Sequence, residues 1–290
     1  QLNCKHCVPC FLSHWLIADP MVLVNGLQTD LLDVHDRGLA YGDGVFRTLR
    51  ISGGKAFCWQ RHYQKLHDDC RALGLSCPSH AMLSEELGQI AAANPQCVLK
   101  IIVTRGRGAR GYRAIGEMQA TRIVMASPVP DYPSSYDEQG VRLRICDLKL
   151  SLQPRFAGIK HLNRLENVMA RREWDDASIA EGLLLDSEEF VIGGTMTNLF
   201  MRKGNELWTP DLTRCGVAGV QRKRVLERAA VSGIRCAERH ISVAQLLKAD
   251  EIFLTNSVIG VWQVREIGDN FWKKGEFTPT VRQWLNEPCD

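Results

Sequence analysis

The nine residues Ser-Pro-Val-Pro-Asp-Tyr-Pro-Ser-Ser at 127–135 constrain this chain more than any other stretch. Three prolines within six positions fix φ and remove backbone donors, so neither a helix nor a central strand passes through them. The chain is therefore expected to divide there, with a unit at 21–127, a linker at 128–136 and a second unit at 137–290. With 45% of its 290 residues hydrophobic, the chain can fill the cores that two such units require.

In the first unit, 22–24 is apolar and is followed by Asn25-Gly26, a dipeptide that takes positive φ readily and predicts a hairpin. A strand is expected at 45–51, broken at Gly53-Gly54 and resumed at 56–59. Leu66, Cys70 and Leu73 fall at helical spacing within 61–73, with Gly74 at the C′ position. A second helix is expected at 84–93 with Ser84 as N-cap, and strands at 98–104 and 121–127. This is an α+β pattern. The second unit alternates like a strand at 141–150 and then reads as a helix at 163–174. Short strands follow at 182–186, 199–202, 207–209 and 251–255, and a further helix at 219–232. Many short strands with few helices predict a mixed sheet.

Composition excludes several classes. Thirty-six Lys and Arg against 33 Asp and Glu leave +3, and the basic residues are dispersed, so no nucleic-acid footprint stands out. Apolar runs such as 179–185, interrupted by Glu181, fall short of the ~20 residues of a membrane span. Eleven cysteines, among them Cys58, Cys70, Cys97, Cys146 and Cys236, show no disulfide framework and read as mostly reduced thiols of a cytoplasmic protein. Residues 1–20 differ in character: Cys4, Cys7 and Cys10 crowd beside His6, a spacing open both to a metal site and to a poorly ordered or vector-derived leader.

Lys160 follows the apolar and small residues Phe156, Ala157, Gly158 and Ile159. An amine held in such surroundings loses its charge more easily and becomes a nucleophile able to form a Schiff base. Most lysines are solvated surface residues, and this one taken alone reads that way too. Four ordered segments alter that reading. Gly-Ile-Lys-His-Leu-Asn-Arg-Leu-Glu-Asn at 158–167, Asp-Arg-Gly-Leu-Ala-Tyr-Gly-Asp-Gly-Val-Phe at 36–46, Thr-Arg-Gly-Arg-Gly-Ala-Arg-Gly-Tyr at 104–112 and Thr-Asn-Leu-Phe at 197–200 resemble the motifs of the aminodeoxychorismate lyases. These belong to the fold-type IV pyridoxal-phosphate enzymes, and the resemblance runs from Met21 to the C-terminus.

The resemblance implies a two-domain fold, an α+β unit followed by a larger mixed-sheet unit that binds pyridoxal 5′-phosphate, and a homodimer with no nucleic-acid or membrane partner. It implies that Lys160 holds the cofactor covalently and moves the substrate proton. Lys65, in His-Tyr-Gln-Lys-Leu at 62–66, takes the place of the group's phosphate-binding arginine, keeping the charge but not the fork of donors. Its plainer reading is an exposed helix lysine. Val220 and Gln221, after Gly219 at a helix start, and Ser257 are the remaining phosphate contacts implied, although an ordinary N-cap and a turn serine look the same. Arg105 and Arg110, with Arg107 between them, suit a carboxylate clamp on the small-molecule substrate, or else a solvated loop, and Thr48 is expected to orient substrate.

One position departs from the pattern. The family's glutamate, partner of the cofactor's ring nitrogen, falls at Gly193, and Glu188 and Glu189 are the nearest carboxylates along the chain. The implied activity is release of p-aminobenzoate and pyruvate, slowed by that loss. Two rivals remain open: a class IV aminotransferase for branched-chain or D-amino acids, and a non-catalytic protein that retained the fold.

Overall fold

The computed structural model describes residues 21–116 and 118–289. The cysteine cluster at 4–10 lies outside them. Six strands, β1 (Val22–Val24), β2 (Leu27–Gln28), β3 (Gly44–Ser52), β4 (Lys55–Ala56), β5 (Cys97–Thr104) and β6 (Thr121–Ser127), form one sheet in the order β2-β1-β6-β5-β3-β4. Its pairings are all antiparallel. Asn25 and Gly26 adopt φ of 52° and 85°, the primed-turn conformation that the hairpin requires.

Three helices belong to this part: α1 (Arg37–Tyr41), α2 (Trp59–Ala72) and α3 (His80–Ala93). Leu66 and Cys70 of α2 and Leu83, Leu87 and Ile90 of α3 are buried in one cluster with Leu49, Leu99 and Ile101 of the sheet. Each such side chain contributes ~1.5–3 kcal/mol by leaving water. α2 ends as its sequence predicts: Gly74 turns to φ 62°, its N–H reaches the Arg71 carbonyl at 3.1 Å, and that of Leu75 reaches Cys70 at 2.8 Å. Two expectations need correction. α3 starts at His80, because the Ser79 hydroxyl accepts from the Met82 N–H, while Ser84 accepts from Trp59 Nε1 at 2.8 Å. The strand expected at 56–59 stops at Ala56, since Cys58 takes φ 56° and the chain turns straight into α2.

The second sheet has nine strands: β7 (Val141–Leu150), β8 (Ile179–Asp186), β9 (Val191–Gly194), β10 (Asn198–Lys203), β11 (Glu206–Pro210), β12 (Cys236–Arg239), β13 (Glu251–Asn256), β14 (Gly260–Ile267) and β15 (Asn270–Phe271). They run β12-β11-β10-β13-β14-β7-β8-β9, with β15 on β14, and β14, β7 and β8 are mutually parallel neighbours. Its helices are α4 (Ser135–Glu138), α5 (Leu165–Arg171), α6 (Val220–Val231), α7 (Val243–Leu246) and α8 (Thr278–Asn286). α5 is shorter than the 163–174 expected, because Asn163 is drawn aside to donate to the Gly42 carbonyl at 3.1 Å. The mixed, α+β architecture inferred from the sequence is thus present.

The two sheets meet along β3. Phe46 N–H donates to the Lys160 carbonyl at 3.0 Å and Leu162 N–H to the Gly44 carbonyl at 2.9 Å, so the lysine segment lies as an extra edge on the first sheet. A disulfide between Cys58 and Cys289, with Cα atoms 5.3 Å apart, adds a covalent link. Cys58 therefore departs from the reduced state expected of it. The pairing was invisible along the chain because it is made by folding α8 back onto α6, where Arg224 donates to the carbonyls of Trp284 and Leu285 at 3.0 and 2.9 Å. Cys70, Cys77, Cys97, Cys146, Cys215 and Cys236 are free thiols.

Candidate active site

A cavity of about 790 Å³ lies where β3, the lysine segment, the 193–198 turn, the start of α6 and the 256–258 turn converge. It brings together Lys160, Thr48, Gly193, Val220, Gln221 and Ser257, which span 210 positions of sequence. Lys65, Arg105 and Arg110 stand outside it. Lys65 Nζ donates to Asp69 Oδ1 at 2.5 Å and to the Gly158 carbonyl at 3.0 Å. Arg105 grips Asp43 with Nε at 2.8 Å and Nη2 at 3.1 Å and also donates to the carbonyls of Leu73 and Gly74, so it ties the loop to the end of α2. Arg110 is exposed.

Lys160 is partly buried in the wall of this cavity. Burial first, and then the cations Arg47, Arg164 and Lys100, push its pKa down to about 7. Its Nζ lies 4.5 Å from the centre of the Phe46 ring. A sizeable fraction is thus neutral amine at neutral pH, which nucleophilic attack on an aldehyde requires. Its backbone N–H is held by Asp69 Oδ2 at 3.2 Å.

The start of α6 is framed by Asn198, whose Oδ1 accepts from the Gly219 N–H at 3.2 Å and whose Nδ2 donates to the Val217 carbonyl at 2.8 Å. No side chain caps this helix, so the N–H groups of Val220 and Gln221 face the cavity end with the positive pole of the dipole. Ser257 is presented by a tight turn in which Asn256 Oδ1 accepts from Val258 and Ile259, each at 2.8 Å. That Asx-turn signal, Asn256 followed by Gly260, was readable in the sequence.

Gly193 lies on β9, opposite Leu184 of β8. A Cβ here would come within 2.7 Å of the Thr197 carbonyl oxygen, so the turn has closed on the glycine. In space, a carboxylate nearer than Glu188 and Glu189 does exist: a Cβ at Gly194 would stand 2.6 Å from Glu181 Oε2. Glu181 is already committed. Oε1 accepts from Gly182 N–H and from the N–H and hydroxyl of Thr195, and Oε2 from Met196 N–H and the Thr197 hydroxyl, at 2.5–3.1 Å. Glu166 is the single carboxylate that lines the cavity among the described residues, and it accepts from the Ser151 N–H at 2.9 Å.

Pyridoxal phosphate fits this cavity on two sides. Lys160 suits its aldehyde, and the bare N–H groups of α6 with Ser257 suit its phosphate. On the third side Gly193 offers the ring nitrogen no acid. Sequence reasoning passed over Arg47, His62 and Asp69, because burial and convergence give them their meaning and neither has a one-dimensional signal.

The family model described as Amino-transferase class IV matches residues 44–267. The chain is 33% identical over 247 residues to an aminodeoxychorismate lyase of Vibrio harveyi, covering 85% of this chain and 91% of that protein. It is 29% identical to a putative branched-chain-amino-acid aminotransferase of Methanocaldococcus jannaschii, covering 90% and 94%. The crystal structure of 4-amino-4-deoxychorismate lyase from Pseudomonas aeruginosa superposes with a TM-score of 0.87 at 46% identity, over 91% of this chain and 98% of that one. With a family match across both sheets and a lysine lining a cavity that suits the cofactor, the chain belongs to the class IV aminotransferase family, whose cofactor is pyridoxal 5′-phosphate.

Proposed function

We propose that the protein is an aminodeoxychorismate lyase that converts 4-amino-4-deoxychorismate to p-aminobenzoate and pyruvate, slowed by the glycine at position 193. The observation that carries this reading is Lys160 in the wall of a cavity shared with the start of α6, in a chain 46% identical to a lyase of known structure.

The bound cofactor would supply an electron sink for the substrate carbon that carries nitrogen. This chain's residues supply the rest. Val220 and Gln221 N–H groups and the Ser257 hydroxyl anchor the phosphate end, and Thr48 orients substrate from β3. Lys160 Nζ would hold the cofactor through its aldehyde and, once released by substrate, would move the substrate proton, for which a pKa near neutrality suits it. The apolar wall formed by Phe46, Leu150, Phe156 and Ile192 limits water at the reacting carbon. Gly193 leaves the ring nitrogen without an acid partner, which makes the sink weaker.

The proposal extends to a division at 128–136, a cytoplasmic location and a homodimer. The separate sheets and the six free thiols among the described residues support the first two. Arg107 and Arg110, exposed on a loop outside this chain's own cavity, suit a site shared with a second copy, which sedimentation would test. Among the described residues no helix is long and apolar enough to cross a membrane.

The test is to load the protein with cofactor, add 4-amino-4-deoxychorismate and follow p-aminobenzoate and pyruvate without any keto acid. Equimolar release of both products is expected. Turnover that occurs only when a keto acid is supplied would transfer the assignment to an aminotransferase, and no turnover with either would favour the non-catalytic reading that Gly193 invites.

A further inference from the structure

The cavity wall nearest α2 carries more positive charge than its partners offset. Arg47, from β3, is 2% exposed and pairs with Asp69, whose other oxygen is taken by Lys65. Lys160 and Arg164 are close enough to Arg47 for their charges to be felt. Three cations, Arg47, Lys160 and Arg164, thus stand near one another at the cavity, with Asp69 on Arg47 and Glu166 near Arg164.

Two side chains on this wall also carry nitrogens left without partners among the described residues. Arg47 Nε has no hydrogen-bond acceptor among the described residues. His62, likewise 2% exposed, has neither ring nitrogen bonded. Burial, and then Arg47, Lys160 and Arg224, push the His62 pKa down to about 3, so its ring is neutral with one donor and one acceptor nitrogen. Each buried polar group left unmade is destabilising, and such groups in a native fold signal something that binds there. Both residues line the same cavity as Val220 and Gln221. A guanidinium edge and an imidazole beside uncapped helix N–H groups form an anion site of the kind that grips a phosphate monoester.

We propose that Arg47, assisted by His62, is the residue that grips the cofactor phosphate, the guanidinium standing on strand β3 instead of helix α2, while Lys65 acts through Asp69 to orient it. This rests on the pyridoxal-phosphate reading above. It also accounts for Lys65, which lacks a fork of donors and is bound to Asp69 and the Gly158 carbonyl outside the cavity wall.

The test compares two probes that differ only in the phosphate. The full-length protein is titrated with pyridoxal phosphate and with pyridoxal, and binding is read from tryptophan fluorescence, for the wild type, Arg47→Met, Arg47→Lys and Lys65→Met. Arg47→Met is expected to weaken pyridoxal phosphate by about 10- to 100-fold and pyridoxal by less than about threefold, with a smaller loss of preference in Lys65→Met. Equal weakening of both probes, or a preference lost in Lys65→Met and kept in Arg47→Met, would overturn the assignment. Should Arg47→Met fail to fold, Arg47→Lys retains a charge beside Asp69. Inorganic phosphate should then raise the melting temperature of the wild type clearly more than that of Arg47→Lys, and equal shifts would refute the proposal. A wild type that takes up neither probe removes the cofactor reading itself, and this inference with it.

Discussion

At the scale of single residues, the proposed chemistry turns on Lys160 and Gly193. The pKa of Lys160 lies near 7 in the fold against 10.5 as a free side chain. The unfolded chain therefore holds more protons across that interval, so the cost of burying Lys160 diminishes as pH rises from about 7 to about 10.5. The uptake rate of pyridoxal phosphate, fixed with borohydride at intervals, should climb through pH about 7 and level off well below 10, and should vanish in Lys160→Ala. A rate that keeps climbing to pH 10 would show an ordinary solvated lysine. At Gly193 the opposing Thr197 carbonyl leaves 2.7 Å for a Cβ, so Gly193→Glu must displace the turn slightly, at a cost of about 1–3 kcal/mol in stability. If the missing acid limits the reaction, p-aminobenzoate release in this variant should rise at least about tenfold. No gain, with cofactor saturating, would mean that the ring nitrogen is served another way.

At the scale of elements, the site depends on turns held by buried polar side chains. Glu181 of β8 gathers five donors and so shapes the 194–197 turn that forms one wall of the cavity. Removing it leaves several donors of that turn without their carboxylate acceptor. Glu181→Ala is expected to cost at least about 3 kcal/mol, seen as a lower denaturation midpoint at unchanged slope. A loss below about 1 kcal/mol would show that water replaces the carboxylate. Glu251 acts similarly at the far end, where it accepts from the N–H groups of Phe277 and Thr278 at 3.1 and 2.6 Å and so starts α8. Through α8 and Arg224, that support reaches the helix whose first turn faces the cavity.

At the scale of the whole molecule, the two sheets are joined by the lysine segment on β3, by the ion pair of Arg61 with Glu227 at 2.6 Å, and by the Cys58–Cys289 disulfide. The disulfide spans 231 positions, so it restricts the unfolded chain strongly, by an amount on the order of 5 kcal/mol in the chain-entropy picture. A dithiol reductant, or Cys289→Ser, should lower the melting temperature by several degrees and leave the Lys160 cavity able to take up cofactor. An unchanged melting temperature would mean that the α2, α6 and α8 packing already holds the two parts together.

The sequence by itself determined what is local or repeated in a motif: the Asn25-Gly26 hairpin, the α2 helix with its Gly74 stop and most of the strands, and it singled out Lys160 and Gly193 as the positions of the proposed chemistry. These follow from dihedral preferences, hydrophobic periodicity and ordered motifs, each readable within a few residues. β14 was missed because Gln263, Arg265 and Glu266 break its apolar residues into neither a continuous run nor a strict alternation. Only the tertiary structure decided which charges meet. Arg47 and Asp69, 22 positions apart by number, form a buried pair; Arg105 turns to Asp43 and away from the cavity; and Cys58 finds Cys289. Such partners are selected by burial, where an unpaired charge is costly, and burial is a property of the packed molecule.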